Sequence, residues 1–277
     1  MPSSRTVVFC AIDDLIPIAG HPLSGFADLL DGLAEARIPS VWVSSRNRHQ
    51  LDTSVRQLGH AGPFIAENGC GAYLPEDYFH LKPERTVRLG RFTCVPVAAP
   101  QPAAAQALDS LAEDTAISVV PLRSLSPRET MQNTGLSRQE ADALRQRDFD
   151  ELFFFAGASD ADIQKFKQSA TERKLSVRSS GAFYSLAVGA SLSECVQDLR
   201  KLYDRALHAR ASTIALTTSG ESTELLKACD RAIVLTDRTA VDSDDPTASG
   251  RPSAKRLRLF SADTWPQVLE AIKNRQF

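Results

Sequence analysis

The sequence predicts an α/β fold: a parallel core sheet with helices on both faces, interrupted by an inserted α+β cap. Short apolar runs alternate with helical patterns in the N-terminal third, an alternation that is typical of βαβ units. The pattern changes at a stretch rich in Pro and Ala near residues 95–106, and the alternation returns further on. We therefore expect a core domain over residues 1–87 and 188–277 and a cap domain over residues 88–187.

The first core segment contains five predicted elements. A β-branched apolar run predicts the first strand, and apolar residues at helical spacing (Phe26, Leu29, Leu30 and Leu33) predict the helix that follows it. In chain order the elements are a strand over 6–12, a helix over 26–36, a strand over 41–43, a helix over 48–58 and a strand over 63–66.

The insert has a mixed pattern of helices and strands. Ser126 is predicted to start one helix as its N-cap, and Glu129 three residues later completes a capping box. The other predicted elements are helices over 102–114, 137–146 and 160–174 and strands over 117–120, 152–155, 176–178 and 182–188.

The C-terminal segment returns to alternating helices and strands. We predict helices over 191–207, 223–229 and 263–273 and strands over 213–216 and 232–235. Residues 237–256 are polar and contain Pro, Gly and Ser, which predicts a loop. A basic tract lies at its end (Arg251, Lys255, Arg256 and Arg258), and we interpret it as a solvated loop rather than as a nucleic-acid-binding arm.

Composition argues against several function classes. With 32 basic and 34 acidic residues the net charge is −2, which gives no general attraction to nucleic acid or anionic membranes. No apolar run approaches the roughly 18–20 residues that span a bilayer, and the N-terminus has no apolar signal-peptide region. The five cysteines and five histidines show no metal-binding spacing. We expect a cytoplasmic protein with no nucleic-acid or membrane partner.

Polar residues follow four of the predicted strands, at the edge where open α/β sheets bind their ligands. After the first strand the chain reads Ala11-Ile12-Asp13-Asp14-Leu15. The other strand ends read Ser44-Ser45-Arg46, Glu67-Asn68-Gly69 and Thr217-Thr218-Ser219. We predict the functional site at this edge.

The order and spacing of these segments resemble the haloacid dehalogenase superfamily, in particular the capped, Cof-type branch that contains mannosyl-3-phosphoglycerate phosphatases. Residues 63–73, 134–137, 147–151 and 181–184 are similar to stretches of that branch, so the resemblance covers nearly the whole chain. It implies a core with a cap, a phosphohydrolase activity that uses Mg²⁺, and a phosphorylated sugar or glycerate as ligand.

The family's catalytic positions are mostly replaced. The resemblance places the nucleophile at Ala11, which has no heteroatom to attack phosphorus, and the general acid–base at Asp13. The lysine that neutralises the aspartate and phosphate charges becomes Leu192. The two aspartates of the magnesium motif become Thr218 and Ser222.

The other family positions are partly kept. Ser44 keeps the hydroxyl that holds a phosphoryl oxygen, although a hydroxyl at a strand end is equally typical of a helix N-cap. The family's cap arginine is replaced by Ala182. The predicted ligand-binding residues are Ser44, Ser45, Arg46, Glu67, Asn68, Gly69 and Arg147.

We therefore predict a catalytically inactive phosphatase homologue, without a metal or other cofactor, that binds a phosphorylated sugar or glycerate or a partner protein. The losses compound, because phosphoryl transfer depends on charge neutralisation and Mg²⁺ is usually held by carboxylates.

Two alternatives stay open. The chain could be an active, Mg²⁺-dependent phosphohydrolase with an unusual mechanism. Its nucleophile would then be Asp13, with the register slipped by two residues, or Ser44 or Thr218, for which the sequence shows no base. The chain could also be a scaffold subunit that binds no ligand.

Overall fold

The structure is a computed structural model that describes residues 5–16, 22–81, 83–180, 183–218, 223–236, 253–258 and 263–274. Within these ranges the chain forms a nine-stranded sheet and a separate four-stranded sheet, with helices packed on both. The predicted α/β architecture with additional α+β structure is confirmed.

The strands are numbered in chain order. They are β1 (Thr6–Ala11), β2 (Ser40–Val43), β3 (Phe64–Ala66), β4 (Gly71–Leu74), β5 (Val87–Leu89), β6 (Phe92–Pro96), β7 (Val119–Pro121), β8 (Glu151–Phe155), β9 (Leu175–Ser180), β10 (Phe183–Val188), β11 (Ser212–Thr218), β12 (Arg231–Thr236) and β13 (Ser253–Arg258). The nine-stranded sheet has the order β13-β12-β11-β1-β2-β3-β4-β6-β5. Its strands run parallel from β13 to β3, and β4, β6 and β5 continue it in antiparallel pairs.

Several helices begin at a residue whose side chain caps them. Ser126, Ser137 and Ser159 each accept a backbone N–H of the following turn, and each takes part in a capping box. The helices are α1 (Phe26–Glu35), α2 (Arg48–Gln57), α3 (Gln101–Thr115), α4 (Pro127–Thr134), α5 (Arg138–Leu144), α6 (Asp160–Glu172), α7 (Leu192–Leu207), α8 (Thr223–Ala228) and α9 (Thr264–Asn274).

Two apolar clusters cover the two faces of the nine-stranded sheet. One contains Trp42 and Phe64 with side chains of α1, α2 and α9, and the other contains Phe9 and Val41 with side chains of α7 and α8. Each fully buried side chain of this size contributes roughly 1.5–3 kcal/mol. Helices therefore lie on both faces, as predicted from the alternating pattern.

The four-stranded sheet is antiparallel, in the order β7-β8-β10-β9. α3 and α6 pack on it through a cluster that includes Leu108, Phe153, Phe166 and Leu186. This sheet lies within the predicted insert.

The boundary of the insert and the direction of the strands differ from the prediction. β5 and β6 belong to the nine-stranded sheet, although residues 88–96 are predicted to lie in the cap. β4 to β6 also make the sheet mixed rather than parallel. These strands are three to five residues long, too short for their periodicity to show. The division of the chain into a core domain and a cap domain stays a prediction.

The basic tract is not a loop throughout. Lys255, Arg256 and Arg258 lie in β13, which pairs in parallel with β12 at the edge of the sheet. Basic side chains are common on edge strands, because they discourage pairing with another chain. Arg251 and most of the predicted loop over 237–256 lie outside the described residues.

No helix in the described ranges is long and apolar enough to cross a membrane. The five cysteines are buried and free.

Candidate functional site

The C-terminal ends of β11, β1, β2 and β3 lie side by side, because these strands are neighbours and run parallel. Ala11 at the end of β1 is paired with Val43 at the end of β2. The predicted site segments that follow the strands therefore meet at one edge, as expected for ligand sites of open α/β sheets.

Asp13 lies just beyond β1, and its carboxylate contacts the end of β2. Its Oδ1 accepts a hydrogen bond from the Ser44 hydroxyl, and its Oδ2 accepts one from the Ser45 backbone N–H at 2.8 Å. The Nε of Arg46 lies 3.8 Å from Oδ1. The Asp13 carboxylate is thus held by three consecutive residues while its side chain is still 35% exposed.

Arg46 is almost buried, with 6% of its side chain exposed. Its Nη2 donates to the backbone carbonyls of Asp13, at 3.3 Å, and of Ile16. Burial lowers the pKa of Arg46, and the carboxylates of Asp13 and Asp14 oppose that change. Arginine still carries its charge at neutral pH. Its guanidinium therefore fixes the segment after β1 against the end of β2.

Ser44 is fixed by the backbone on both of its sides. Its N–H donates to the carbonyl of Ile65 at 3.1 Å, and its carbonyl accepts the N–H of Asn68 at 3.1 Å. The interpretation of Ser44 as a helix N-cap is wrong, because Asn47 caps α2 in a capping box with Gln50. The Ser44 hydroxyl is therefore part of the strand-end site.

Glu67, Asn68 and Gly69 form a left-handed turn after β3, with φ values of 51°, 56° and 92°. A Cβ at Gly69 would lie 2.4 Å from the backbone N of Leu192, so only glycine allows this approach. The Gly69 carbonyl accepts the N–H of Ser191 at 3.1 Å. The turn therefore packs the start of α7 against the end of β3.

The Glu67 side chain is buried and bonded to the insert. Its oxygens accept the backbone N–H groups of Asp148, Phe149 and Asp150 at 2.9, 2.9 and 2.8 Å. Burial raises the pKa of Glu67 and the nearby Asp150 adds to the rise, whereas Arg147 and the backbone N–H groups oppose it. Both oxygens have partners within the protein, so a ligand-binding role for Glu67 has no support from this geometry.

Arg147 is buried beside this carboxylate. Its Nε and Nη2 donate to Asp150 at 2.5 and 2.7 Å, and Nη2 also donates to the Ser45 carbonyl at 3.0 Å. Burial lowers the pKa of Arg147, but Asp150 and Glu67 raise it by more. Arg147 therefore joins the insert to the end of β2, and its predicted role as a ligand contact is not favoured either.

A second ion pair lies next to the first. The Nε of Arg48 donates to Asp148 at 2.9 Å, and the Tyr73 hydroxyl donates to the same carboxylate at 2.9 Å. Nothing in the sequence indicates the pair of Arg48 and Asp148, since the two residues are 100 positions apart. Residues 147–150 are thus the polar anchor of the insert.

Ala11 and Leu192, at the family positions of the nucleophile and the lysine, have apolar surroundings. Leu192 is 6% exposed and belongs to the apolar cluster on the α7 face, and Ala11 packs against the same cluster. The Leu192 N–H donates to Oε1 of Glu224 at 3.0 Å, a partner that the sequence did not indicate. Apolar side chains therefore pack at both positions, where the resemblance leads us to expect charged groups.

The magnesium motif is partly described. The Thr218 hydroxyl donates to the Asp14 carboxylate, whereas Ser222 and the cap position Ala182 lie outside the described residues. In the part of the chain that is described, no three His, Cys, Asp or Glu side chains are grouped closely enough to hold a metal ion. Asp13 and Asp14 each accept a hydroxyl hydrogen bond, from Ser44 and Thr218 respectively.

A cavity of about 470 Å³ lies near the start of β2. It is lined by residues of α1, of the loops before β2 and β3, and of the segment over 77–80. None of the predicted site residues lines it, so the strand-end site is a separate feature.

No family model matches the chain, whereas two curated relatives match most of it. A glucosyl-3-phosphoglycerate/mannosyl-3-phosphoglycerate phosphatase of Methanococcoides burtonii is 24% identical over 227 residues, which cover 82% of this chain and 83% of the relative. The protein of the same name from Persephonella marina is 22% identical over 235 residues, with 83% and 84% covered.

Solved structures share the fold over nearly the full chain. The protein 0175 of Thermoplasma acidophilum has a TM-score of 0.64 at 12% identity, with 97% of this chain and 98% of that chain covered. BT1666 of Bacteroides thetaiotaomicron, a phosphatase of the haloalkanoate (HAD) superfamily, has a TM-score of 0.59 at 17% identity, with 99% of this chain and 97% of that chain covered. The HAD subclass IIB sugar phosphatase BT4131 has a TM-score of 0.58 at 12% identity, with 98% of each chain covered.

The chain has the haloacid dehalogenase fold of these solved structures, and its sequence is similar to the two phosphatases. This confirms the resemblance that its strand-end segments indicate. In this haloacid-dehalogenase-like protein, Asp13, Ser44, Ser45 and Arg46 come together as predicted. The roles of the predicted site residues in ligand binding stay predictions.

Proposed function

We propose that this haloacid-dehalogenase-like protein binds a phosphorylated sugar or glycerate without hydrolysing it at a significant rate. The observation that carries the proposal is the environment of Ala11 and Leu192. Both occupy family positions for charged groups, and both pack in one apolar cluster. Neither side chain can attack phosphorus or neutralise the charge of a phosphate ester.

Asp13 does not compensate for these losses. It keeps the family's acid–base position, but an acid assists only when a nucleophile attacks. General acid–base catalysis contributes about 10²–10⁴ to a rate, whereas enzymatic accelerations of phosphate-monoester hydrolysis reach about 10²¹. The remaining group therefore falls short by many orders of magnitude.

The ligand class is supported by the relatives and by the donors at the strand ends. Both curated relatives are named as phosphatases of glucosyl- and mannosyl-3-phosphoglycerate. Ser44, Ser45 and Arg46 offer a hydroxyl, a backbone N–H and a guanidinium at the place where the family holds a phosphoryl oxygen. A partner protein is a further proposed ligand. The buried free thiols support a reducing, cytoplasmic location.

One observation favours the alternative, an active phosphohydrolase of unusual mechanism. The Ser44 hydroxyl donates to Asp13, which places a nucleophile beside a base, whereas the sequence showed no base for Ser44. Ser44 is nevertheless 3% exposed, and its oxygen also accepts the Arg46 N–H at 3.0 Å. The burial and contacts of Ser44, together with the missing lysine, favour a catalytically inactive protein over this alternative.

Phosphate release from glucosyl- and mannosyl-3-phosphoglycerate in the presence of Mg²⁺ tests the proposal. We expect no release above the level of the Asp13→Asn and Ser44→Ala variants. Turnover of about 1 s⁻¹ or more, the low end of ordinary enzymes, that is lost in either variant would establish the alternative instead. A contaminating phosphatase would survive both substitutions, so the two variants also serve as the control.

A further inference from the structure

Donors at the end of β2 converge on the side chain of Asp13. The Ser44 hydroxyl and the Ser45 N–H donate to its two different oxygens, and the Arg46 guanidinium approaches one of them to 3.8 Å. One carboxylate of the chain therefore occupies the donors that the strand end offers.

The same donors suit an external oxyanion. Hydroxyl, backbone N–H and guanidinium groups are the partners that hold phosphate and carboxylate oxygens in proteins. The Ser44 hydroxyl and the Ser45 N–H have one hydrogen each. Each can donate to Asp13 or to a phosphoryl oxygen but not fully to both, and the two anions repel each other. Occupation by Asp13 and by a phosphoryl group is therefore mutually exclusive.

We infer that the Asp13 carboxylate is an internal ligand of this anion site and that a phosphoryl group binds there only by displacing it. The inference deepens the proposed function and rests on it, since the displacing group belongs to the proposed phosphorylated ligand. The internal carboxylate lowers the affinity of the site for tetrahedral oxyanions, of which inorganic phosphate is the simplest.

The donors keep their places without the Asp13 side chain. Ser44 is fixed by the backbone of Ile65 and Asn68, at 3.1 Å each. Arg46 donates to the backbone carbonyl of Asp13, a contact that any residue at this position provides. Substitution at Asp13 therefore frees the donors instead of removing them.

Isothermal titration calorimetry of the full chain with inorganic phosphate tests the inference. Asp13→Ala is expected to bind phosphate about tenfold more tightly than the unchanged chain, because phosphate then displaces no hydrogen-bonded carboxylate; tenfold is about 1.4 kcal/mol, the order of one net hydrogen bond. Asp13→Asn removes the charge but keeps an oxygen that can accept from Ser44, so its gain is expected to be smaller. Adding Ser44→Ala to Asp13→Ala should abolish the gain.

Asp14→Ala is the matched control, because it removes the neighbouring carboxylate, which accepts from Thr218 instead. Its gain is expected to be smaller than that of Asp13→Ala. Equal gains in these two variants, no gain in either folded Asp13 variant, or a gain that survives Ser44→Ala would overturn the inference. Circular dichroism shows whether each variant is folded. If Asp13→Ala does not fold, the phosphate affinity of Asp13→Asn tests the inference. This experiment measures binding of inorganic phosphate, whereas the proposed function fails if the chain hydrolyses a phosphate ester. A failure of the inference is therefore distinguishable from a failure of the proposed function.

Discussion

Arg178 in β9 and Glu224 in the first turn of α8 form an ion pair. The pair joins the four-stranded sheet to a helix that packs on the nine-stranded sheet. The second oxygen of Glu224 accepts the N–H of Leu192 at 3.0 Å. Each of the two charged side chains is about one-third exposed. The ion pair therefore links the insert to the start of α7, the position where the family has its lysine.

Arg178→Ala is expected to loosen this link with little loss of global stability, less than about 1 kcal/mol, because exposed ion pairs contribute little. Hydrogen exchange should become faster in β9 and at the Leu192 N–H. Arg173→Ala is the control, since it removes an exposed ion pair with Asp114 inside the insert. Unchanged exchange at Leu192 in the Arg178 variant would contradict the linking role.

Glu67→Gln is expected to destabilise the chain by about 1–3 kcal/mol, the cost of leaving a buried hydrogen-bonding group without its partner. The amide retains one oxygen, whereas the three backbone N–H groups of residues 148–150 use both carboxylate oxygens. Urea unfolding measures the difference. The exposed Glu194→Gln is the control and should stay within about 0.5 kcal/mol of the unchanged chain. An equally small effect at Glu67 would show that it does not anchor the insert.

His60 is expected to make the stability depend on pH. Its ring stacks on Trp42 with the centroids 4.2 Å apart, and burial lowers its pKa from 6.5 to about 4. Between these values the unfolded chain binds a proton that the folded chain does not, so stability is lost as the pH falls from about 6.5 to about 4. The shift corresponds to a loss of up to about 3 kcal/mol from this group.

His60→Phe keeps the stacking and removes the titration. Urea unfolding at pH 7 and at pH 4.5 should show a smaller loss of stability in the variant than in the unchanged chain. Equal losses in the two proteins would mean that His60 is protonated in the folded state as well.

Ala11→Asp combined with Thr218→Asp is expected to leave phosphate release unchanged. The two new carboxylates would crowd Asp13 and Asp14, and Leu192 offers no charge to offset them. The double variant should also unfold at a lower temperature. A rise of about 10³-fold or more in the rate of phosphate release would mean that hydrolysis does not require a lysine at position 192.

Strand and helix positions were largely predictable where apolar periodicity is long, as in β1 and α7. β4 to β6 were not, since they are three to five residues long, and β13 was not, since its sequence SAKRLR is mostly polar. Pairing of β13 with β12 depends on the sheet edge, a tertiary property.

The location of the candidate site could be predicted from the sequence, but the hydrogen-bond partners of its residues could not. The parallel strand ends bring Asp13 and Ser44 together, as the topology requires. Glu67 and Arg147 are ordinary candidates for ligand contacts, yet Glu67 accepts the N–H groups of residues 148–150 and Arg147 donates to the Ser45 carbonyl. These contacts join residues about 80–100 positions apart, so they leave no spacing signal in the sequence.

The most direct test of the central claim measures binding and hydrolysis in one sample. Mannosyl-3-phosphoglycerate is titrated into the chain with Mg²⁺ in a calorimeter, and the ligand is then recovered and analysed. We predict saturable binding at or below millimolar concentration, weakened by Ser44→Ala, with the ligand recovered intact. Phosphate release at about 1 s⁻¹ or more that Asp13→Asn abolishes would contradict the claim, as would the absence of binding at millimolar ligand.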